Sequence, residues 1–110
     1  YAGTHDNNTL RGWLDDAKPE ELEKAMAYWG VSQSNALPGA MLRGGMRSVA
    51  DLFVFQMQDL LGLDGNSRMN TPGTVGGNWS WRLSPGGLTE ELSARLAAWN
   101  RLYGRFATEV

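Results

Sequence analysis

Asp6 lies beside His5, the one imidazole of the chain, within the polar segment Thr4-His5-Asp6-Asn7-Asn8. A carboxylate accepts hydrogen bonds, and a neutral imidazole both donates and accepts them. An Asn-rich, Asp-containing stretch ahead of a helix is also ordinary capping sequence, and a lone His is commonly surface or core. A second group is Asn70-Thr71-Pro72-Gly73, whose Asn amide can donate to and accept from a ligand hydroxyl. The same four residues are ordinary turn chemistry. Gln58 and Asp59 are a third polar pair, and Asp59 also suits the start of a helix. Trp79 and Trp81 could line a ligand groove, although core packing is the commoner use of large apolar side chains.

Five Trp and fourteen Gly stand out in a chain of this length. Sugar-binding clefts use both residue types: aromatic faces stack on the C–H faces of pyranose rings, and glycine lets loop backbone approach a ligand. The carboxylates of Asp15, Asp16, Glu20, Glu21 and Glu23 read as solvated helix faces without a catalytic part.

The bulk properties exclude several classes. At 110 residues the chain is of single-domain size, and 42% hydrophobic with 20% charged residues is the balance of a protein with a packed core. A net charge of −2 gives no electrostatic reason to bind nucleic acid or an anionic membrane. With no Cys and one His, neither a disulfide framework nor a conventional zinc site can be assembled. No apolar run approaches the roughly 20 residues needed to span a bilayer, and the polar opening is unlike a secretory signal. The expected location is cytoplasmic.

The elements that must position these residues are mostly helical. Residues 1–8 read as a loop leading into a helix with Leu10, Trp13, Leu14 and Ala17 at helical spacing, capped by Asn7 or Asn8. A second helix opens at Pro19, carries Glu20 and Glu21 at its positive end, buries Leu22, Ala25, Met26 and Trp29, and stops at Gly30. Between Asn35 and Val49, Gly39, Gly44 and Gly45 interrupt the apolar pattern, each at about 1 kcal/mol relative to Ala, so a helix there needs tertiary support. Leu52-Phe53-Val54-Phe55 is the best strand candidate, but the chain supplies no obvious set of partner strands. Gln58 to Leu63 reads as a helical turn, Asp64 to Asn78 as a long glycine-rich loop, and Trp79 to Leu83 as a short extended piece. A closing helix is capped by Thr89 and presents Leu92, Leu96, Trp99 and Tyr103 as one stripe ending near Gly104. There is no internal repeat.

Three blocks, in this order, resemble the amylomaltase or disproportionating-enzyme family, glycoside hydrolases that act as 4-alpha-glucanotransferases. They are Tyr1-Ala2-Gly3-Thr4-His5-Asp6-Asn7, then Met57-Gln58-Asp59-Leu60-Leu61-Gly62-Leu63, then Arg68-Met69-Asn70-Thr71-Pro72-Gly73-Thr74 continuing to Gly77-Asn78-Trp79-Ser80-Trp81-Arg82. Together they cover most of positions 1 to 82. The chain departs from the family's pattern at Gln56, where a Pro is expected, and the motifs of the nucleophilic Asp and the acid/base Glu are not in it. The resemblance implies a C-terminal fragment of a (β/α)8 TIM barrel: mostly α with one or two short strands, residues 1–110 forming a single partial domain. That domain would run from the end of strand 7 to the C-terminal helix, with Leu52 to Phe55 as the eighth strand.

The activity so implied is retaining transfer of α-1,4-glucan segments to the 4-hydroxyl of an acceptor sugar. Retention uses two displacements by a pair of carboxyl groups about 5 Å apart, through an oxocarbenium-like transition state. By resemblance Asp6 is a third, assisting carboxylate, catalytic in the parent enzyme, and His5 donates to the same sugar. Asn70, Gln58 and Pro72 become substrate-binding residues at the barrel mouth. No metal and no cofactor is implied. The expected partners are α-1,4-glucans, maltooligosaccharides and the missing N-terminal part of the barrel, and the fragment alone is expected to be inactive. The competing readings are a carbohydrate-binding module without catalysis and a helical self-association domain, a homo-oligomer formed through exposed barrel surface.

Overall fold

The computed structural model describes residues 1–105; the last five positions of the expected single unit lie outside them. Five helices follow one another, α1 (Leu10–Asp16), α2 (Pro19–Trp29), α3 (Leu37–Met46), α4 (Met57–Leu60) and α5 (Glu90–Leu102), with 3-10 turns at Ser34–Ala36 and Gly65–Ser67. Leu10, Leu42, Leu60 and Leu92 meet in one cluster, so α1, α3, α4 and α5 each contribute one leucine to the centre. Met41, Phe53, Phe55, Met57, Leu96 and Trp99 pack around them.

Local chemistry sets the helix ends. Thr9, fully buried, holds an extended backbone and accepts the Gly12 N–H at 3.0 Å, so Thr9 caps α1 in place of the expected Asn7 or Asn8. Those two amides serve the preceding loop instead: Asn7 accepts from Thr4 and Asn8 from Thr9, each at 2.8 Å. The expected bounds of α2 are met, with Pro19 first, Glu20 and Glu21 in the first turn, and Gly30 left-handed at φ 69°. Its stripe of Leu22, Ala25, Met26 and Trp29 is half-buried and α2 has no fully buried residue, because it packs mainly on α3 and is otherwise open to solvent. On α5, Thr89 accepts the Leu92 N–H at 3.1 Å and Leu92 is buried, as its pattern predicts.

The tertiary support that α3 needs comes through its glycines. A Cβ on Gly44 would overlap the indole of Trp29, and one on Gly45 would overlap the ring of Phe53. At two of the three positions that weaken the helix intrinsically, Gly44 and Gly45, α2 and the 52–55 segment press against it.

No strand forms among the described residues, which corrects the expectation of one or two. Residues 52–55 belong to no helix or sheet; one backbone bond reaches them, from the Ala2 N–H to the Val54 carbonyl at 3.1 Å. Their side chains alternate as in a strand. Leu52 is 78% and Val54 46% exposed, while Phe53 and Phe55 turn inward with ring centroids 5.6 Å apart. A ladder needs successive N–H and C=O bonds between two segments, and the single Ala2–Val54 bond does not extend into one. Residues 79–83 also stay outside any sheet. Arg105 secures the loop before 52–55 by donating to the carbonyls of Met46, Ser48 and Ala50. Among the described residues no helix is long and apolar enough to cross a membrane, and no group of three or more His, Cys, Asp or Glu could hold a metal ion.

Candidate functional site

The segment before α1 is fastened at both ends. Ala2 is bonded to Val54, and at the other end the Leu10 N–H, a free donor at the start of α1, donates to Asp59 Oδ1 at 2.7 Å. Asp59 is 4% exposed, and burial holds its carboxyl above the usual carboxylate range, with the Leu10 bond pulling it partly back. Between these anchors Asn7 closes a tight turn: its side-chain oxygen accepts from both the backbone and the hydroxyl of Thr4, and its N–H donates to the Thr4 carbonyl. His5 and Asp6 occupy the tip of that turn, with side chains 52% and 55% exposed and His5 Nε2 3.3 Å from Asp6 Oδ2.

The glycine-rich loop arrives from the other side and is held by its own side chains. Asn78 Oδ1 accepts the Thr71 N–H at 2.9 Å, Asn78 Nδ2 donates to Thr74 Oγ1 at 3.1 Å, and the Thr74 hydroxyl donates to the Thr71 carbonyl at 2.6 Å. The Trp79 N–H donates to the Met69 carbonyl, bringing the two ends of the loop together. Gly73, Gly76 and Gly77 take positive φ values of 80°, 84° and 72°, which is how the chain reverses within so few residues.

So closed, the loop reaches Asp6 at two points and His5 at a third. Asn70 Nδ2 donates to Asp6 Oδ1 at 2.8 Å. Arg68 donates through Nη2 to the Asp6 carbonyl at 3.1 Å and through Nε to the Asn70 carbonyl at 2.9 Å, tying the two backbones to one planar guanidinium. The ring of Trp79 lies 4.8 Å from that of His5, tilted by 42°. The result is an exposed carboxylate with an amide on one oxygen and an imidazole beside the other, bordered by an aromatic ring. Such a surface can bind a hydroxyl-rich ligand by donating, accepting and stacking.

Three of the expected site residues, His5, Asp6 and Asn70, are therefore brought together. Pro72 lies two positions beyond Asn70 on the exposed turn of the same loop. Gln58 is placed elsewhere: it is 4% exposed, and its amide nitrogen donates to the Ser67 carbonyl at 3.2 Å, at the base of the loop and next to Arg68. Trp79 is 54% exposed, so it is not the core residue that a large apolar side chain usually is. Arg68 opens the third resembling block, yet nothing local tells a guanidinium that joins two backbones from a solvated one.

The 4-alpha-glucanotransferase family model matches residues 1–89, a range that contains every residue of this group. The 4-alpha-glucanotransferase of Thermus thermophilus is 46% identical over 103 residues, covering 89% of this chain and 21% of that protein. That of Synechocystis is 41% identical over 105 residues, covering 96% of this chain and 21% of that protein. Among solved structures, an amylomaltase from Streptococcus agalactiae in complex with acarbose superimposes with a TM-score of 0.88 at 37% identity, covering 97% of this chain and 22% of that one. The chain thus spans about a fifth of the length of the curated relatives it matches. With the Asp6 turn, the Gln58-Asp59 pair and the Asn70 loop all inside the matched range, this chain belongs to the 4-alpha-glucanotransferase family.

Proposed function

We propose that this chain supplies the assisting carboxylate and part of the sugar-binding surface of a retaining 4-alpha-glucanotransferase, an enzyme that moves α-1,4-glucan segments to acceptor sugars. The observation that carries this reading is the convergence of Asn70 Nδ2 and His5 Nε2 on the two oxygens of an exposed Asp6, at 2.8 and 3.3 Å. An exposed carboxylate held from both sides is oriented before a ligand arrives and is free to accept hydroxyl protons. Hydrogen bonds from sugar hydroxyls to it strengthen as positive charge builds on the ring in an oxocarbenium-like transition state. His5 and Asn70 bind the same sugar, and Pro72 shapes the loop beside it. Gln58 contributes through its hold on Ser67. The complex of the similar amylomaltase with acarbose supports a glucan as the ligand.

Asp6 as an assisting group has no bond to break unless a nucleophile and an acid/base residue are delivered to the same sugar. The isolated chain is therefore inactive, and the remainder of the barrel is its partner. Glucose release from maltotriose tests this. No release by the 110-residue chain, and release on mixing it with the N-terminal remainder, is the expected result; turnover by the chain alone would overturn it. Leu52 and Val54 favour a second reading of the isolated chain, because an extended backbone with two exposed apolar side chains is a surface that pairs with another chain. Self-association of the free chain, lost on mixing with the N-terminal remainder, is the form that reading takes.

A further inference from the structure

Trp79 stands apart from the other described residues by its backbone: at φ 59° it is the one non-glycine among them in the left-handed region. For a bulky side chain that region is strained, and glycine occupies it freely. The strain is not offset by burial of the indole, which is 54% exposed. What the conformation achieves is placement. With the Trp79 N–H bonded to the Met69 carbonyl, the chain turns so that the indole lies 4.8 Å from the His5 ring. At the opposite end of the same loop Asn70 is bonded to Asp6, the next residue in the chain after His5. Two ends of one closed loop therefore grip two consecutive residues, one through an amide and one through an aromatic face.

We propose that Trp79 is a positioning residue for His5: its indole holds the imidazole in the orientation that sets Nε2 beside Asp6 Oδ2. The proposal rests on the sugar-binding reading of the Asp6 turn for its purpose, though not for its geometry. His5 sits at an exposed tip, its side chain 52% exposed, and the aromatic ring that borders its imidazole there is that of Trp79. A tilted aromatic pair at this separation favours one ring orientation by roughly two- to tenfold. The imidazole then presents its donor to a ligand without losing further rotamer freedom on binding.

His5 is the only histidine, so its ring protons are identified directly by NMR in the 110-residue chain. In the unsubstituted chain they are displaced upfield by the indole ring current and show Overhauser contacts to Trp79. Trp79→Gly suits the left-handed backbone and keeps the Thr71 and Asn78 amide signals in place, while the His5 displacement is lost. Trp79→Phe keeps an aromatic face and retains part of it, and this variant carries the test where the glycine variant loses its fold. His5 signals unmoved by either substitution would overturn the proposal. Adding maltotriose separates it from the sugar reading: intact His5–Trp79 contacts with no response to maltotriose reject the ligand and leave the positioning role standing.

Discussion

Asn70 and Asp6, 64 positions apart in the chain, are joined by a 2.8 Å hydrogen bond from the amide nitrogen of one to a carboxylate oxygen of the other. The bond holds one oxygen of the carboxylate, and His5 Nε2 lies 3.3 Å from the other. It also makes the position of the catalytic candidate depend on a loop that is closed by its own side chains rather than by the helical core.

Asn70→Ala removes that donor and leaves the loop's internal bonds in place. A hydrogen bond to a charged group is worth about 1.5–3 kcal/mol, and the exposure of Asp6 puts this one at the low end, so glucose release from maltotriose by the reassembled enzyme falls roughly tenfold. Asn70→Asp sets a second carboxylate against Asp6 and costs more. Equal turnover in both variants and the unsubstituted enzyme would separate Asn70 from the site.

Asp59 makes folding sensitive to pH. Its carboxyl, raised by burial, binds a proton more tightly folded than unfolded, so its stabilising contribution is full below the unfolded value of 3.8 and is lost as pH rises through the folded value. Asp59→Asn keeps an oxygen to accept the Leu10 N–H and cannot ionise. Urea midpoints measured across that window are expected to flatten in the variant relative to the parent chain.

Gly44→Ala tests how α3 is supported. Helix propensity alone predicts a gain of about 1 kcal/mol. The added methyl meets the Trp29 indole, and overpacking of that kind costs about 1–3 kcal/mol, so the thermal midpoint drops. Gly39→Ala, where a Cβ meets nothing within 4 Å, raises it. A rise in both would mean that α2 does not press on α3 in solution.

Thr9→Ala removes the cap of α1 at a fully buried position. The loss is about 1–2 kcal/mol, read as a lower midpoint in thermal unfolding. Because α1 follows the Asp6 turn directly, the same variant loosens the turn, and maltotriose affinity weakens with it.

Leu52→Glu places a charge on the exposed side of the extended segment. Light scattering of the free chain is expected to shift toward monomer, and the variant recombines less well with the N-terminal remainder. Unchanged behaviour in both measurements would remove residues 52–55 from any interface.

Legibility followed the range of the interactions. Pro19, the two glutamates after it and Gly30 mark α2 because a helix is started and stopped by residues within one turn of its ends, and Thr89 marks α5 for the same reason. The three blocks that carry the family resemblance are contiguous strings, so they could be read without coordinates, and Asp6, His5 and Asn70 came with them. Thr9 was missed as a cap because Asn7 and Asn8 are equally good capping residues. The choice depended on which residue held the extended backbone at the helix start.

The expected strand failed for a reason that lies outside its own residues. Leu52 to Phe55 has strand composition and strand alternation, but a ladder is a property of two segments, and among the described residues the bond from Ala2 to Val54 is not continued into one. The same holds at the site. That Arg68 joins the backbones of Asp6 and Asn70 and that Trp79 meets His5 depend on contacts between segments far apart in sequence, and that Gln58 is spent on Ser67, nine positions on, depends on how the loop folds back onto α4. Helix ends and motif strings are local and were written in the amino-acid order; the partners of polar side chains are chosen by which loops pack together, and that choice exists only once the chain has folded.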